Sequence, residues 1–194
     1  MAAGKKNAKR LNAWIVFLDE TGFLTTPLVR RTWAPRGRTP VFRENRRTWE
    51  KATAVGAFAI SPARRRVRLL FSLHANENIH AAWLIHFLRD LKRHLGSRLV
   101  LVWDNLGLHR STALRGFLRC QRSLRVWYLP PYAPELNPIE LVWGQAKLGP
   151  LANWAPENIT ALQAGATSTL EQIAGNQILL RSLLRGVPLS LRLK

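Results

Sequence analysis

Two short apolar runs constrain the fold of this chain more than any other feature. Ala13–Leu18 reads A-W-I-V-F-L, Leu99–Trp103 reads L-V-L-V-W, and an aspartate follows each run, Asp19 and Asp104. Runs of this length, rich in β-branched and aromatic residues, are typical of strands that are buried on both faces. We therefore expect both runs in the centre of a sheet. Because a turn is predicted over Glu20–Gly22, each aspartate is expected at the carboxyl end of its strand.

The rest of the chain predicts further strands and helices around these two. They are strands over 53–60 and 67–73, helices over 76–95 and 110–120, a strand over 124–129 and one or two helices over 155–184. The first two of these strands are separated by a turn, which predicts an antiparallel hairpin. Strand, helix and strand from Leu99 to Leu129 predict a right-handed unit with parallel strands. We therefore expect an α/β fold with a mixed sheet.

A third acidic residue stands at the start of a predicted helix. The loop over 130–134 contains three prolines, and Asn137-Pro138 then reads as a helix start, with Asn as the N-cap residue. Glu140 falls in the first turn of this helix, near the positive end of the helix dipole. Two interpretations are open: Glu140 is a capping-box partner of the Asn137 amide, or it is a metal ligand at a rigid helix start.

The predicted topology favours the metal-ligand interpretation. In open α/β sheets, ligands bind at the carboxyl ends of the strands. Asp104 is expected there, Asp19 joins it if its strand is parallel, and the proline-rich loop brings Glu140 to the same edge. Carboxylates that crowd together repel one another, and a pair of Mg²⁺ ions would relieve that repulsion. Such a site beside a basic surface is suited to cutting or joining phosphodiester bonds.

The charge of the chain points to a nucleic-acid partner. The chain has 30 Lys and Arg against 11 Asp and Glu, a formal net charge of +19, which is typical of proteins that bind polyanions. Arginines alternate with aromatic residues over 23–49, which suits phosphate contact and base stacking; a solvated basic hairpin is the alternative. The residues expected to contact DNA are Arg30, Arg31, Trp33, Arg36 and Arg38. No apolar run reaches the roughly 18 residues of a membrane helix, and a single cysteine fits a reducing cytosol.

Three motifs together resemble a known family. They are F-L-D-E-T-G-F at 17–23, V-W-D-N-L-G-L-H at 102–109 and L-P-P-Y-A-P-E-L-N-P-I-E-L-V-W at 129–143. They resemble the catalytic domain of DDE-superfamily transposases, in particular the bacterial insertion-sequence branch related to the mariner elements. The 35 residues between Asp104 and Glu140 also resemble the spacing of the second and third acids in that superfamily.

The resemblance implies a ribonuclease-H-like fold, with a five-stranded mixed sheet flanked by helices. We take the Lys-rich start of the chain, residues 1–12, as a basic arm. The resemblance then implies a catalytic domain over 13–151 and a C-terminal helical extension over 152–194.

The resemblance also implies the residues of the active site. Asp19, Asp104 and Glu140 are expected to hold two Mg²⁺ ions, for which Mn²⁺ can substitute. Asn105 and His109 match positions of the family motif and, with the neighbouring Arg110, are expected to contact DNA. Helix capping is the alternative role for Asn105 and His109.

The implied function is that of a DNA transposase. Hydrolysis would free a 3′-OH, which would then attack target DNA. Family members usually carry a helix-turn-helix region that reads the transposon ends, and only the arm over 1–12 precedes the first strand here. We therefore expect end recognition to come from a separate helix-turn-helix chain or to be absent. By analogy we expect a dimer at the nucleoid of a bacterial cytoplasm. A non-catalytic DNA-binding remnant is the alternative, and a ribonuclease-H-like nuclease for branched DNA is a weaker one.

Overall fold

A five-stranded sheet organises the part of the chain that the computed structural model describes, residues 11–26, 28–38, 41, 50–96, 98–104 and 111–189. Its strands are β1 (Trp14–Leu24), β2 (Lys51–Ile60), β3 (Val67–Ala75), β4 (Leu99–Trp103) and β5 (Leu124–Tyr128). They lie in the order β3-β2-β1-β4-β5. Because β2 pairs antiparallel with β1 and β3 while β4 pairs parallel with β1 and β5, the predicted mixed sheet is confirmed. Most of the predicted basic arm lies outside the described residues.

Five α-helices and a short 3₁₀ turn accompany the described strands. They are α1 (Ala81–Leu95), α2 (Thr112–Cys120), the 3₁₀ turn (Pro134–Leu136), α3 (Pro138–Leu148), α4 (Ile159–Gly175) and α5 (Gln177–Arg185). α1 starts later than predicted because His80 caps it: its Nδ1 accepts a hydrogen bond of 3.3 Å from the Trp83 amide. No helix in the described ranges is long and apolar enough to cross a membrane.

The two faces of the sheet are covered by different helices. Along β1, Ile15 and Phe17 point to one face and Val16 and Leu18 to the other, as the alternation of a strand requires. The first face packs against α3, α4 and α5, and the second against α1 and α2. Burial on both faces explains why the central strands are continuously apolar. Residues of α4 and α5 belong to the same hydrophobic core as the sheet, so the chain after residue 151 packs against the catalytic-domain part of the fold predicted over 13–151. A domain boundary at residue 151 stays a prediction.

The turn predicted over Glu20–Gly22 is wrong, because β1 continues through it to Leu24. β1 pairs with β2 along this whole length and ends with Leu24 opposite Lys51. The hydrogen bonds that β2 offers to the β1 backbone override the local turn preference of these residues. Asp19 therefore lies inside a strand and not at the end of one.

The carboxyl end of β4 nevertheless lies beside Asp19. β1 and β4 pair in parallel only as far as Phe17 and Val102. Asp19 and Asp104 each follow that last pair by two residues, so both aspartates stand at the same level of the sheet. The two aspartates are thus neighbours as predicted, but only β4 ends at this level, whereas β1 continues past it to Leu24.

Candidate active site

The three predicted acids line one cleft at the carboxyl end of β4. The cleft has a volume of about 480 Å³, and its walls include Asp19, Asp104 and Glu140. Asp19 belongs to β1, Asp104 directly follows β4, and Glu140 lies in the first turn of α3. The other lining residues are Leu129, Pro130, Pro131, Tyr132, Ala133, Pro134 and Asn137. The fold therefore brings three acids from distant parts of the sequence to one cavity.

Among the described residues, no three His, Cys, Asp or Glu side chains stand close enough to hold one metal ion. The segment that directly follows Asp104 lies outside the described residues, and with it the predicted DNA contacts Asn105, His109 and Arg110. The described part of the site thus supplies carboxylate oxygens from three separate elements.

Asp19 has a strongly shifted pKa. Burial raises the pKa of its carboxyl group from 3.8 to about 7, and the charge of Glu140 contributes to that rise. Hydrogen bonds from the Glu20 amide and from Trp143 act in the opposite direction; the indole Nε1 of Trp143 donates to Oδ2 of Asp19 over 3.0 Å. Crowded, desolvated acids resist ionisation in this way, and such shifts are frequent at functional sites.

Asn137 and Glu140 do not form the predicted capping box. Asn137 occupies the N-cap position of α3, but its side chain makes no cap hydrogen bond. Its Nδ2 donates instead to the Leu18 carbonyl over 3.2 Å, and its amide N–H donates to the Pro134 carbonyl over 2.8 Å. The capping-box interpretation of Glu140 is therefore wrong, because the Asn137 amide is satisfied by the preceding 3₁₀ turn. Asn137 joins the start of α3 to the residue before Asp19.

The Asn137 side chain also leaves an acceptor inside the site. Asn137 is only 4% exposed, and its Oδ1 has no hydrogen-bond partner among the described residues. A buried carbonyl oxygen without a donor is costly unless water or a ligand reaches it. Asn137 thus lines the cleft with the acids, while its Oδ1 atom stays buried without a partner among the described residues.

Two residues of the site, Trp143 and Lys147, were not predicted. They lie three and seven positions after Glu140 on α3, so all three share one face of the helix. Nζ of Lys147 donates to Oγ1 of Thr21 over 2.6 Å and lies 5.5 Å from the centre of the Phe23 ring. Burial lowers the pKa of Lys147, whereas the charges of Glu140 and Asp19 raise it. The helical spacing from Glu140 was the signal in the sequence that could have identified both.

Within the basic region predicted over 23–49, the described segment 28–38 forms neither helix nor strand in the structure. Its five predicted DNA contacts are all exposed, namely Arg30, Arg31, Trp33, Arg36 and Arg38. The Arg38 amide donates to the Pro35 carbonyl over 3.0 Å, which closes the turn predicted at this proline. The Arg30 amide donates to Oδ1 of Asn153 over 2.7 Å, and its guanidinium donates to the Leu148 carbonyl at the end of α3. DNA contact by this segment stays a prediction.

Comparison with known proteins gives a family match and a set of similar folds. Residues 14–162 match the model of the DDE superfamily endonuclease family. No protein of curated function matches the chain significantly.

Solved structures with a similar fold include Mos1 transposase. The chain aligns with the Mos1 paired-end complex with the left transposon end at a TM-score of 0.67 and 19% identity, covering 96% of this chain and 55% of that one. A pre-cleavage Mos1 transpososome aligns at 0.64 and 20%, with 95% and 55% covered. The catalytic domain of Mos1 mariner transposase aligns at 0.51 and 16%, with 97% and 91% covered. The chain thus spans about half the length of the first two, and the ribonuclease-H-like fold with its five-stranded mixed sheet is confirmed.

Proposed function

Because the chain belongs to the DDE superfamily of endonucleases, we propose that it is the catalytic part of a DNA transposase. It would cut phosphodiester bonds and join the freed 3′-OH to target DNA. One observation carries the proposal: Asp19, Asp104 and Glu140 reach a single cleft from three separate elements. Mos1 transposase, which has a similar fold, has been solved in a strand transfer complex, and this supports the joining step.

The donor set of the cleft fits hard divalent cations. Carboxylate and carbonyl oxygens are the ligands that Mg²⁺ and Mn²⁺ prefer. A bound cation would offset the burial and the repulsion from Glu140 that raise the pKa of Asp19. Asp19, Asp104 and Glu140 would hold two ions, and Mos1 paired-end complexes solved with Mn and with Mg support these metals. The ions would supply an activated water and charge stabilisation at the leaving oxygen.

The chain's own basic residues would bind and orient the DNA. The segment over 28–38 is attached to the C-terminal end of α3, whose first turn carries Glu140. One helix, about 16 Å long, therefore connects this segment to the cleft. Arg31, Arg36 and Arg38 are exposed and suit phosphate contact, and Trp33, which is 99% exposed, suits base stacking.

Transposition also requires partners beyond this domain. Mos1 transposase has been solved in a paired-end complex with its left transposon end. We propose that this chain also binds transposon ends and that it acts as a dimer on DNA. A helix-turn-helix region on a separate chain is proposed to read the transposon ends. Both proposals rest on the family and on the basic character of the chain.

A second candidate is a non-catalytic DNA-binding remnant of a transposase. The observation in its favour is that, within the described ranges, the acids do not gather closely enough to hold one ion. In that case the basic surface would still bind DNA while the cleft performs no chemistry.

Nicking of supercoiled plasmid in Mg²⁺ or Mn²⁺ distinguishes the two candidates. We expect wild-type protein to nick the plasmid only with metal, and Asp104→Asn to abolish nicking while retaining salt-sensitive DNA binding. Asp90→Asn is the matched control, because Asp90 forms an exposed ion pair with Arg93 at 2.9 Å. Equal nicking by wild type and Asp104→Asn would refute the assignment of Asp104. DNA binding without metal-dependent nicking by the wild type would favour the remnant.

A further inference from the structure

We propose that Trp143 is the positioning residue for Asp19, and that Gly56 is required because it leaves room for the Trp143 indole. The inference rests on the proposed function, in that Asp19 is taken to bind metal. It assigns the orientation of Asp19 to a side chain of α3, the helix that also carries Glu140.

The hydrogen bond from Trp143 to Asp19 is part of a closely packed contact. Trp143 is 2% exposed, and its Nε1 lies 3.0 Å from Oδ2 of Asp19. The Phe23 ring meets the indole edge-on, with the centroids 6.4 Å apart at 84°, an arrangement that aromatic pairs prefer. The indole is therefore held in one orientation, and it directs its N–H at the carboxylate.

Gly56 completes this contact from the neighbouring strand. It lies directly opposite Asp19 in the β1–β2 pairing. A Cβ atom at this position would lie 2.5 Å from Cη2 of Trp143 and 2.7 Å from Cδ1 of Ile139. Any larger residue would thus push the indole away from the sheet. A glycine in the middle of a strand often marks such a close approach.

The chemistry of the indole suits it to hold a metal ligand. An indole N–H only donates, so it neither ligates a cation nor takes a proton from the acid. It engages Oδ2 and leaves Oδ1 outside the bond. Partners that orient metal ligands in this way typically contribute roughly 10- to 100-fold to metal affinity. Trp143 and Glu140 are one turn apart on α3. The position of this helix therefore fixes both Glu140 and, through the indole, the orientation of Asp19.

Binding of Mn²⁺ to the full chain, followed by electron paramagnetic resonance of the free ion, tests the inference without relying on activity. Trp143→Phe keeps the ring and removes the donor, so we expect affinity to fall about 10-fold. Gly56→Ala should weaken binding in the same direction by displacing the indole. Gly144→Ala is the control and should bind as the wild type, because a Cβ there meets nothing within 4 Å. Wild-type affinity in both Trp143→Phe and Gly56→Ala would overturn the inference.

A double-mutant comparison separates positioning from a general role in packing. If Trp143 acts through Asp19, Trp143→Phe should change Mn²⁺ affinity little in an Asp19→Asn background. An equal loss in both backgrounds would mean that Trp143 only supports the fold, and would overturn the inference. If Asp19→Asn alone leaves Mn²⁺ affinity unchanged, the proposed function fails and the inference with it. If Asp19→Asn weakens binding and Trp143→Phe does not, only the inference fails.

Discussion

At the scale of single residues, Asp19 combines a position in the acidic cleft with an energetic cost. It lies inside β1 and faces α3, where it accepts the indole hydrogen bond and lies near Glu140. Burial of an acid is unfavourable for its charged form. The residue that the motif predicts as a metal ligand should therefore reduce the stability of the metal-free protein.

The pH dependence of stability follows from the raised pKa of Asp19. Between its ordinary value of 3.8 and the folded value of about 7, the folded protein holds a proton that the unfolded chain has released. Stability contributed by this group is therefore lost as the pH rises through that window, by up to about 4 kcal/mol. In EDTA, Asp19→Asn should be more stable than the wild type at pH 8 and differ less at pH 5. Urea unfolding at the two pH values measures this.

The exposed Asp90 provides the control for this prediction. Asp90→Asn removes a surface ion pair with Arg93, which is worth at most about 1 kcal/mol. It should leave the pH dependence of the wild type in place. An Asp19→Asn protein that is no more stable than the wild type at pH 8 would contradict the assigned cost of burial.

The residues around Asp19 show what the sequence leaves open at this scale. The meeting of Asp19, Asp104 and Glu140 in one cleft could be predicted because each acid stands in a recognisable motif. The role of Trp143 could not, because it depends on how α3 lies across β1 and on the absence of a side chain at Gly56. Such a contact joins residues 124 positions apart. The helical spacing could show that Trp143 shares a face with Glu140, but not that its indole contacts Asp19.

At the scale of elements, the apolar strands were predictable and their ends were not. β4 was predicted with its observed bounds, because its five buried residues have no competing local preference. β1 runs beyond the predicted turn because β2 pairs with it as far as Leu24. The start of α3 was predicted, but Asn137 makes a tertiary hydrogen bond there in place of a cap. Local patterns thus located the elements, whereas tertiary partners decided their ends.

Substitution of Asn137 tests how α3 is attached to the sheet. The Leu18 carbonyl needs a donor, so both Asn137→Ala and Asn137→Asp should destabilise the protein by about 1–3 kcal/mol. Asn137→Asp should be the worse of the two, because it adds a negative charge beside Asp19 and Glu140. If Asn137 acted as a conventional N-cap, aspartate would replace it well. Thermal or urea unfolding of the two variants decides between these roles.

Asn158 serves as the matched control for that experiment. Its Oδ1 accepts a hydrogen bond of 2.8 Å from the Ala161 amide at the start of α4, which is an ordinary N-cap. Asn158→Asp should therefore be nearly neutral and Asn158→Ala should cost about 1 kcal/mol. The same order of variants at position 137 would contradict the tertiary role of Asn137.

At the scale of the whole molecule, the net charge of the chain and the charge of the cleft have opposite signs. The chain carries a net charge of +19, yet the described ionisable walls of the cleft are acidic. Composition alone predicted a polyanion partner, and the family motifs predicted the fold. Neither gives the distances between the acids, because these depend on the approach of three separate elements.

The salt dependence of DNA binding tests the proposed role of the basic segment. Replacing Arg31, Arg36 and Arg38 by alanine should reduce the slope of log affinity against log salt by up to about three, because each arginine that neutralises a phosphate adds about one to that slope. The control replaces Arg64, Arg65 and Arg66, which lie in the β2–β3 connection at the opposite end of the strands from the cleft. A larger change in slope for the control than for the segment would contradict the proposed DNA path.

Site-directed cleavage by Fe²⁺ tests most directly whether Asp19, Asp104 and Glu140 together bind the divalent ions. Fe²⁺ that replaces Mg²⁺ generates hydroxyl radicals, which cut the peptide chain near the bound ion, and mass spectrometry locates the cuts. We predict cuts close to all three acids, suppressed by excess Mg²⁺ and abolished in Asp104→Asn. The absence of such cuts, or cuts confined to the cleft lined by His74, His80 and His86, would contradict the account.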